Sequence, residues 1–186
     1  MDYRIVELDS DQPALIHGAA VLLRDAFHNR SLDWQNLESA RLEVMDSLSE
    51  DRISRVAVDE SGAVIGWIGG IPAYSGNVWE IHPLVVASRH RRQGLGRALL
   101  RDLEDIVRRK GALTLWAASD DENNETSLSA VDLYADVPGA IRDIRNLRGH
   151  PYEFYQRAGF KIVGVMPDAN GIGKPDIFLA KRVTPA

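Results

Sequence analysis

The chain has 186 residues, 45% of them hydrophobic and 26% charged, which allows one compact domain and leaves too little for two ordinary ones. It contains no cysteine, so disulfides, a thiol nucleophile and thiolate metal sites are excluded together. The formal net charge of −5 argues against nucleic-acid binding across the surface and suits a cationic ligand.

In chain order, Tyr3 to Leu8 alternates apolar and polar residues and predicts a first strand. Ala14–Phe27 and Trp34–Leu48 have helical spacing, with the polar loop His28-Asn29-Arg30-Ser31 between them. Ser54–Val58 and Ala63–Ile71 predict a hairpin turned at Asp59-Glu60-Ser61-Gly62. After Ser75-Gly76-Asn77 a third antiparallel strand runs from Val78 to Val86. Gly94–Lys110 is strongly amphipathic, with Leu95, Ala98, Leu99, Leu103, Ile106 and Val107 on one face and Gly111 as its stop.

Leu113–Ala118 reads as a buried strand, whereas polar Asp120–Pro138 has no period that assigns it. His150–Ala158 predicts a short helix with Pro151 in its first turn. Phe160–Val165 and Asp176–Arg182 close the chain as strands. The expected architecture is a single α/β domain over 1–186, with one mixed, mostly antiparallel sheet flanked by helices. No apolar run approaches the ~20 residues of a membrane span, and Met1-Asp2-Tyr3-Arg4 does not start a secretory signal. A cytoplasmic protein without membrane or nucleic-acid partners is expected.

Arg89-His90-Arg91-Arg92-Gln93-Gly94-Leu95-Gly96 joins the Val78–Val86 strand to the amphipathic helix. A helix N-terminus leaves amide N–H groups unpaired and carries about half a positive charge. Gly94 and Gly96 let an anion approach those amides, and Arg89, Arg91 and Arg92 add charge, which together suit a diphosphate. The plainer alternative is a glycine-bearing helix start behind a solvated basic loop. No Gly-Lys-Ser/Thr follows, and no G-x-G-x-x-G follows the first strand, so two other nucleotide motifs are excluded.

Within Trp79-Glu80-Ile81-His82-Pro83-Leu84-Val85-Val86, strict alternation puts Glu80, His82, Leu84 and Val86 on one face, about 6.5 Å apart. Pro83 cannot donate to a ladder and predicts an edge, a bulge or a bifurcation. An acid in mid-strand between Trp79 and Ile81 is a candidate base or cation anchor. His82 either tunes Glu80 or relays protons.

Arg91–Gly96 (RRQGLG) matches the R/Q-x-x-G-x-G/A signature of the GNAT acetyltransferases, and the element order resembles theirs. That resemblance implies acetyl-CoA as co-substrate and no metal. It places the pyrophosphate on Arg91, Arg92, Gln93, Gly94, Leu95, Gly96 and Arg97. It also implies a sheet splayed between strands four and five, with the pantetheine arm against Leu84, Val85 and Val86. Tyr155 fits the family's Y-x-x-x-G-F/Y pattern through Gly159 and Phe160, which implies contact with the coenzyme and a proton donor to the departing thiolate. Arg148 and Pro151 stand where the family often has Asn and Ala.

A thioester is already activated, so no covalent protein nucleophile is required. Glu80 is the expected proton acceptor for the ammonium substrate, directly or through one water. The backbone N–H near Leu84 is the expected polarising donor for the thioester carbonyl.

Longer strings narrow the resemblance: WEIHPLVV (Trp79–Val86), SDD with a downstream DLY (Ser119–Tyr134), HPYEFY (His150–Tyr155) and GKPDI (Gly173–Ile177). They are similar to the aminoglycoside 6′-N-acetyltransferases. This implies a polycationic amine substrate, a homodimer and a role in antibiotic resistance. Asp120 and Asp121 open a run with four acids in six residues, Asp120–Glu125, and are substrate-binding candidates with Glu80. Phe27 stands where that group usually has tryptophan, and Tyr74 is a further candidate wall. Acetylation of another cationic amine, such as a polyamine or a peptide, remains an alternative. So does a non-catalytic module that binds acyl-CoA or sequesters a drug.

Overall fold

In the computed structural model the described residues are 2–27 and 34–184, so the His28–Ser31 loop lies outside them. The chain divides into two compact units, residues 1–113 with 183–186 and residues 114–182. The first holds β1 (Tyr3–Glu7), α1 (Pro13–Phe27), α2 (Leu37–Asp46), β2 (Ile53–Asp59), β3 (Val64–Ala73), β4 (Val78–Val86) and α3 (Leu95–Arg109). Its four strands pair consecutively and antiparallel. The second holds β5 (Thr114–Asp120), α4 (Val137–Arg142), α5 (Tyr152–Arg157), β6 (Lys161–Met166) and β7 (Asp176–Arg182), with β7 paired antiparallel to both β5 and β6.

The strand predicted at Val78–Val86 has those bounds, and α3 ends within one residue of its predicted limits. The second helix is shorter than its apolar spacing suggested. Asn36 caps it, its side chain accepting from the Ser39 amide at 2.8 Å, so Trp34 precedes the helix. The six-residue α4 starts at the end of the unassigned Asp120–Pro138 stretch and is capped by Asp136, whose carboxylate accepts from the Gly139 amide at 2.9 Å. Such a helix is too short to show a 3.6-residue period.

In the first unit, Val56, Val58, Trp67 and Val85 pack with Ile16, Ala19, Ala20 and Leu23 of α1 and Ala40 and Val44 of α2. The buried Trp67 indole donates to Ser54 Oγ at 2.9 Å, and Ser54 is bonded to Ser47, so this apolar layer leaves the ring nitrogen satisfied. The opposite face of the sheet receives α3, where Gly66 and Gly70 make room for Leu95, Leu99 and Leu103. The buried stripe of α3 is Leu95, Leu99, Leu100, Leu103, Glu104 and Val107, leaving Ala98 and Ile106 at its half-exposed margin. Arg55 grips Asp102 through two hydrogen bonds, 2.7 and 3.4 Å, and ties β2 to α3.

The β3–β4 ladder contains a bulge. Ile68 pairs with Leu84 and Gly70 with Ile81, so Gly69 alone stands opposite His82 and Pro83. This corrects the strict alternation expected of β4. A bulge carries two residues past one and reverses the parity of the strand beyond it. Val85 faces α1 while Gly66, the partner of Val86, faces α3, so Leu84 and Val86 lie on the α3 side. Glu80 and His82 lie on the other side, where His82 meets Glu43 of α2. All four are half-exposed, but only in pairs do they share a face.

Gly69 is a steric requirement of this bulge. A Cβ there would stand 2.1 Å from the His82 carbonyl oxygen. Gly69→Ala is expected to cost at least about 2 kcal/mol, read as a lower denaturant midpoint at unchanged slope.

Among the described residues, no helix is long and apolar enough to cross a membrane.

Candidate active site

The loop between β4 and α3 leaves the strand through a 3-10 turn at Ser88–His90 and enters the helix at Leu95. Gly94 is the N-cap residue, with φ of +89° and no side-chain cap, so the first amides of α3 stay available to a ligand. The loop's own side chains brace it: Arg91 Nε donates to the Val86 carbonyl at 3.1 Å and Gln93 Nε2 to the Arg89 carbonyl at 2.9 Å. Arg91, Arg92, Gln93 and Arg97 are exposed, whereas Leu95 is buried and anchors the helix start, with Gly96 half-buried beside it. This is a cationic rim around unpaired donors, a fit for the pyrophosphate of coenzyme A.

Glu80 is half-buried on β4, opposite Ile71. Burial pushes its carboxyl above the ordinary 4.5, and the charges of His82 and Arg52 offset this only partly. His82 shifts upward as well, because its hydrogen bond to Glu43 outweighs the effect of burial. Glu43 is held low by that same hydrogen bond, against burial. Glu43 Oε1 lies 3.3 Å from His82 Nε2, and Glu43 Oε2 accepts from Trp34 Nε1 at 3.4 Å. Trp34 packs edge-on against Phe27, with ring centroids 4.8 Å apart, and tilts over His82 at 5.8 Å. Phe27, Trp34, Glu43, His82 and Glu80 thus make one connected group around the half-exposed side of β4. Tyr74 is 78% exposed in the turn before that strand.

Sequence reasoning reached Phe27, Glu80 and His82 but not Trp34, Glu43 or Arg52. Residues 34–48 read only as an amphipathic segment, and nothing in one sequence marks a contact across 39 positions. Arg52 is itself paired with Asp46 at 2.5 Å.

In the second unit, Tyr155 lies on α5, 8% exposed, with its ring edge-on to Phe160 at 5.5 Å. Burial raises its hydroxyl well above the ordinary tyrosine value and keeps it protonated, as a proton donor requires. The helix is tied to the end of β5 by His150. That buried ring accepts from the Tyr152 amide at Nδ1, 3.2 Å, so Nε2 carries the proton and donates to the Asp120 carbonyl at 3.0 Å.

The acidic run divides by burial. Asp121 is 0% exposed, and its carboxylate accepts from the Glu125 amide (2.6 Å), the Thr126 amide (2.9 Å), the Thr126 hydroxyl (2.6 Å) and the Ser129 hydroxyl. Burial pushes this carboxyl up, but the four donors outweigh it and hold it below the ordinary 3.8. Its stabilising contribution is therefore complete above that pH and lost as pH falls through the depressed value. Asp120 has an exposed side chain that accepts from Asn170 Nδ2 at 2.6 Å. Asp121 organises the loop; Asp120 is the one turned outward.

Asp121→Asn keeps the shape but cannot accept all four donors. It is expected to cost roughly 2–3 kcal/mol in urea unfolding, and hydrogen exchange at Glu125 and Thr126 should accelerate.

Residues 20–135 match the acetyltransferase (GNAT) family. Among solved structures, an aminoglycoside 6′-N-acetyltransferase complexed with coenzyme A is similar at 40% identity and a TM-score of 0.91, over 98% of each chain. The aminoglycoside 6′-N-acetyltransferase from Enterococcus faecium is similar at 40% identity and 0.89, again over 98% of each chain. Aminoglycoside 6′-acetyltransferase type Ii is similar at 35% identity and 0.77, over 98% of this chain and 99% of that one. No curated protein sequence matches.

Proposed function

Because this chain belongs to the GNAT acetyltransferase family, we propose that it transfers the acetyl group of acetyl-CoA to the 6′-amine of aminoglycosides. The observation that carries the proposal is similarity at 40% identity over 98% of the chain to a 6′-N-acetyltransferase complexed with coenzyme A. The family match, residues 20–135, runs through both compact units, which supports a single catalytic domain. Action as a homodimer in the cytoplasm, with antibiotic resistance as the outcome, completes this reading.

Bound acetyl-CoA supplies an activated thioester, so the protein's part is to orient, to polarise and to move two protons. The amides from Arg92 to Arg97 hold the pyrophosphate, with the arginines, Arg91 included, as counter-charge. The backbone of Leu84, Val85 and Val86 aligns the pantetheine arm, and the Leu84 N–H polarises the carbonyl as the carbon becomes tetrahedral. Glu80 takes the proton of the substrate ammonium, directly or through one water, which frees the nitrogen lone pair for attack. A C–N bond forms, the C–S bond breaks, the Tyr155 hydroxyl gives the sulfur its proton, and the second proton that the nitrogen sheds as the amide forms restores the phenol. Phe27 and Tyr74 offer ring faces to sugars, and Asp120 offers an outward carboxylate to a second ammonium. Asp121 serves by fixing the backbone that carries Asp120.

Thiol release from acetyl-CoA across a panel of amines tests the activity. Turnover is expected with aminoglycosides bearing a 6′-amine and almost none with 6′-hydroxyl analogues. Equal turnover with both removes the regiochemistry, turnover on polyamines or peptides alone removes the substrate class, and coenzyme binding without turnover leaves a sequestering module. Glu80→Gln and Tyr155→Phe should each lower kcat about 10²-fold or more while coenzyme affinity holds. The acid limb of kcat/KM should fall above pH 4.5, because the base works ionised and burial raises its titration.

Gly94→Ala forces a left-handed φ of +89° on a residue with a Cβ, at a surface position where that Cβ touches nothing within 4 Å. Coenzyme A affinity by calorimetry is expected to drop about tenfold, with a fall of only about 2–4 °C in melting temperature from the strained φ.

A further inference from the structure

Glu43 lies outside every motif that pointed to the reaction, yet it makes the contact that decides what His82 can do. Its two oxygens face His82 Nε2 at 3.3 Å and Trp34 Nε1 at 3.4 Å, so the carboxylate is fixed at both ends. The Trp34 ring covers the imidazole from one side. Three charged groups bear on His82: Glu43 from α2, Glu80 from β4, and Arg52 from the segment before β2. The two carboxylates favour the charged ring, Arg52 and burial oppose it, and the Glu43 hydrogen bond prevails. An imidazolium has both nitrogens protonated and no lone pair to offer.

We propose that Glu43 is a positioning residue for acetyl transfer: its carboxylate, 3.3 Å from His82 Nε2, keeps that nitrogen a donor and thereby leaves the substrate's proton to Glu80. The proposal rests on Glu80 as the proton acceptor of the reaction above. Charge bookkeeping on this face is then simple. Glu43 faces His82 and Arg52 is paired with Asp46, so among the described residues of this group Glu80 is the carboxylate left to meet an approaching ammonium. With Nε2 free to accept, His82 would instead compete for the proton from two residues away.

The hold on His82 is measured without any substrate. Proton–carbon NMR titration of the free protein, with the His82 signal assigned by its loss in His82→Gln, should give a midpoint above 6.5. In Glu43→Gln the midpoint should fall by about one pH unit or more. A midpoint at or below 6.5 in the unsubstituted protein, or no movement in Glu43→Gln, overturns the clamp. Should Glu43→Gln fail to fold, the titration of the unsubstituted protein decides alone.

The assignment of the proton is read by rescue. Glu80→Gln loses about a hundredfold in kcat; adding Glu43→Gln should return about tenfold at pH 8, because His82 Nε2, no longer turned to a carboxylate, can then accept. A merely structural role for Glu43 predicts a double variant slower than Glu80→Gln, and that result, or equal rates, overturns the assignment. Absence of turnover on every amine by the unsubstituted protein would instead sink the proposed activity, while the titration still reports on Glu43.

Discussion

On β4, two residues share the space that β3 gives to one. His82 and Pro83 stand opposite Gly69, and the parity of the strand reverses across them. Glu80 and His82 therefore turn toward α2 while Leu84 and Val86 turn toward α3. A regular strand would have committed all four to one surface. With the mismatch, one nine-residue strand serves two different environments: an electrostatic one around carboxylates and an imidazole, and an apolar one beside α3. The missing Cβ of Gly69 is what admits it.

The electrostatic side follows from where these groups are buried. A half-buried carboxylate in mid-strand costs free energy unless charge lies nearby. Glu80 has partial compensation from His82 and Arg52, and its carboxyl stays above the ordinary range. Glu43 is compensated more fully and lies below it. Two glutamates on one side of the sheet are thus pushed apart in acidity by their neighbours alone. That separation distinguishes a group able to take a proton from one that stays ionised.

Much of this was legible in the sequence, for identifiable reasons. The β4 bounds and α3 rest on period-two and 3.6-residue patterns long enough to be unambiguous, and Gly94 marked the helix start, though not its left-handed φ. What escaped was non-local or too short. The face reversal at Pro83 depends on its partner strand, although the proline itself signalled an irregularity. Glu43 reaches His82 across the fold, and its helix begins later than its apolar spacing implied because Asn36 caps it. The Asp120–Glu125 run read as uniform acidity, whereas burial gives its first two members opposite fates. Composition counts charges; it does not say which of them see water.

The buried carboxylate of Asp121 has a consequence for how such a protein diversifies. Four internal donors converge on it, so the course of the 121–129 backbone is dictated from inside. The exposed side chains of Asn123 and Asn124 take no part in that convergence. They can be exchanged, charge for amide or acid for neutral, while the peptide path beneath stays put. Selection for a different ligand would then have a surface to work on that is decoupled from foldability.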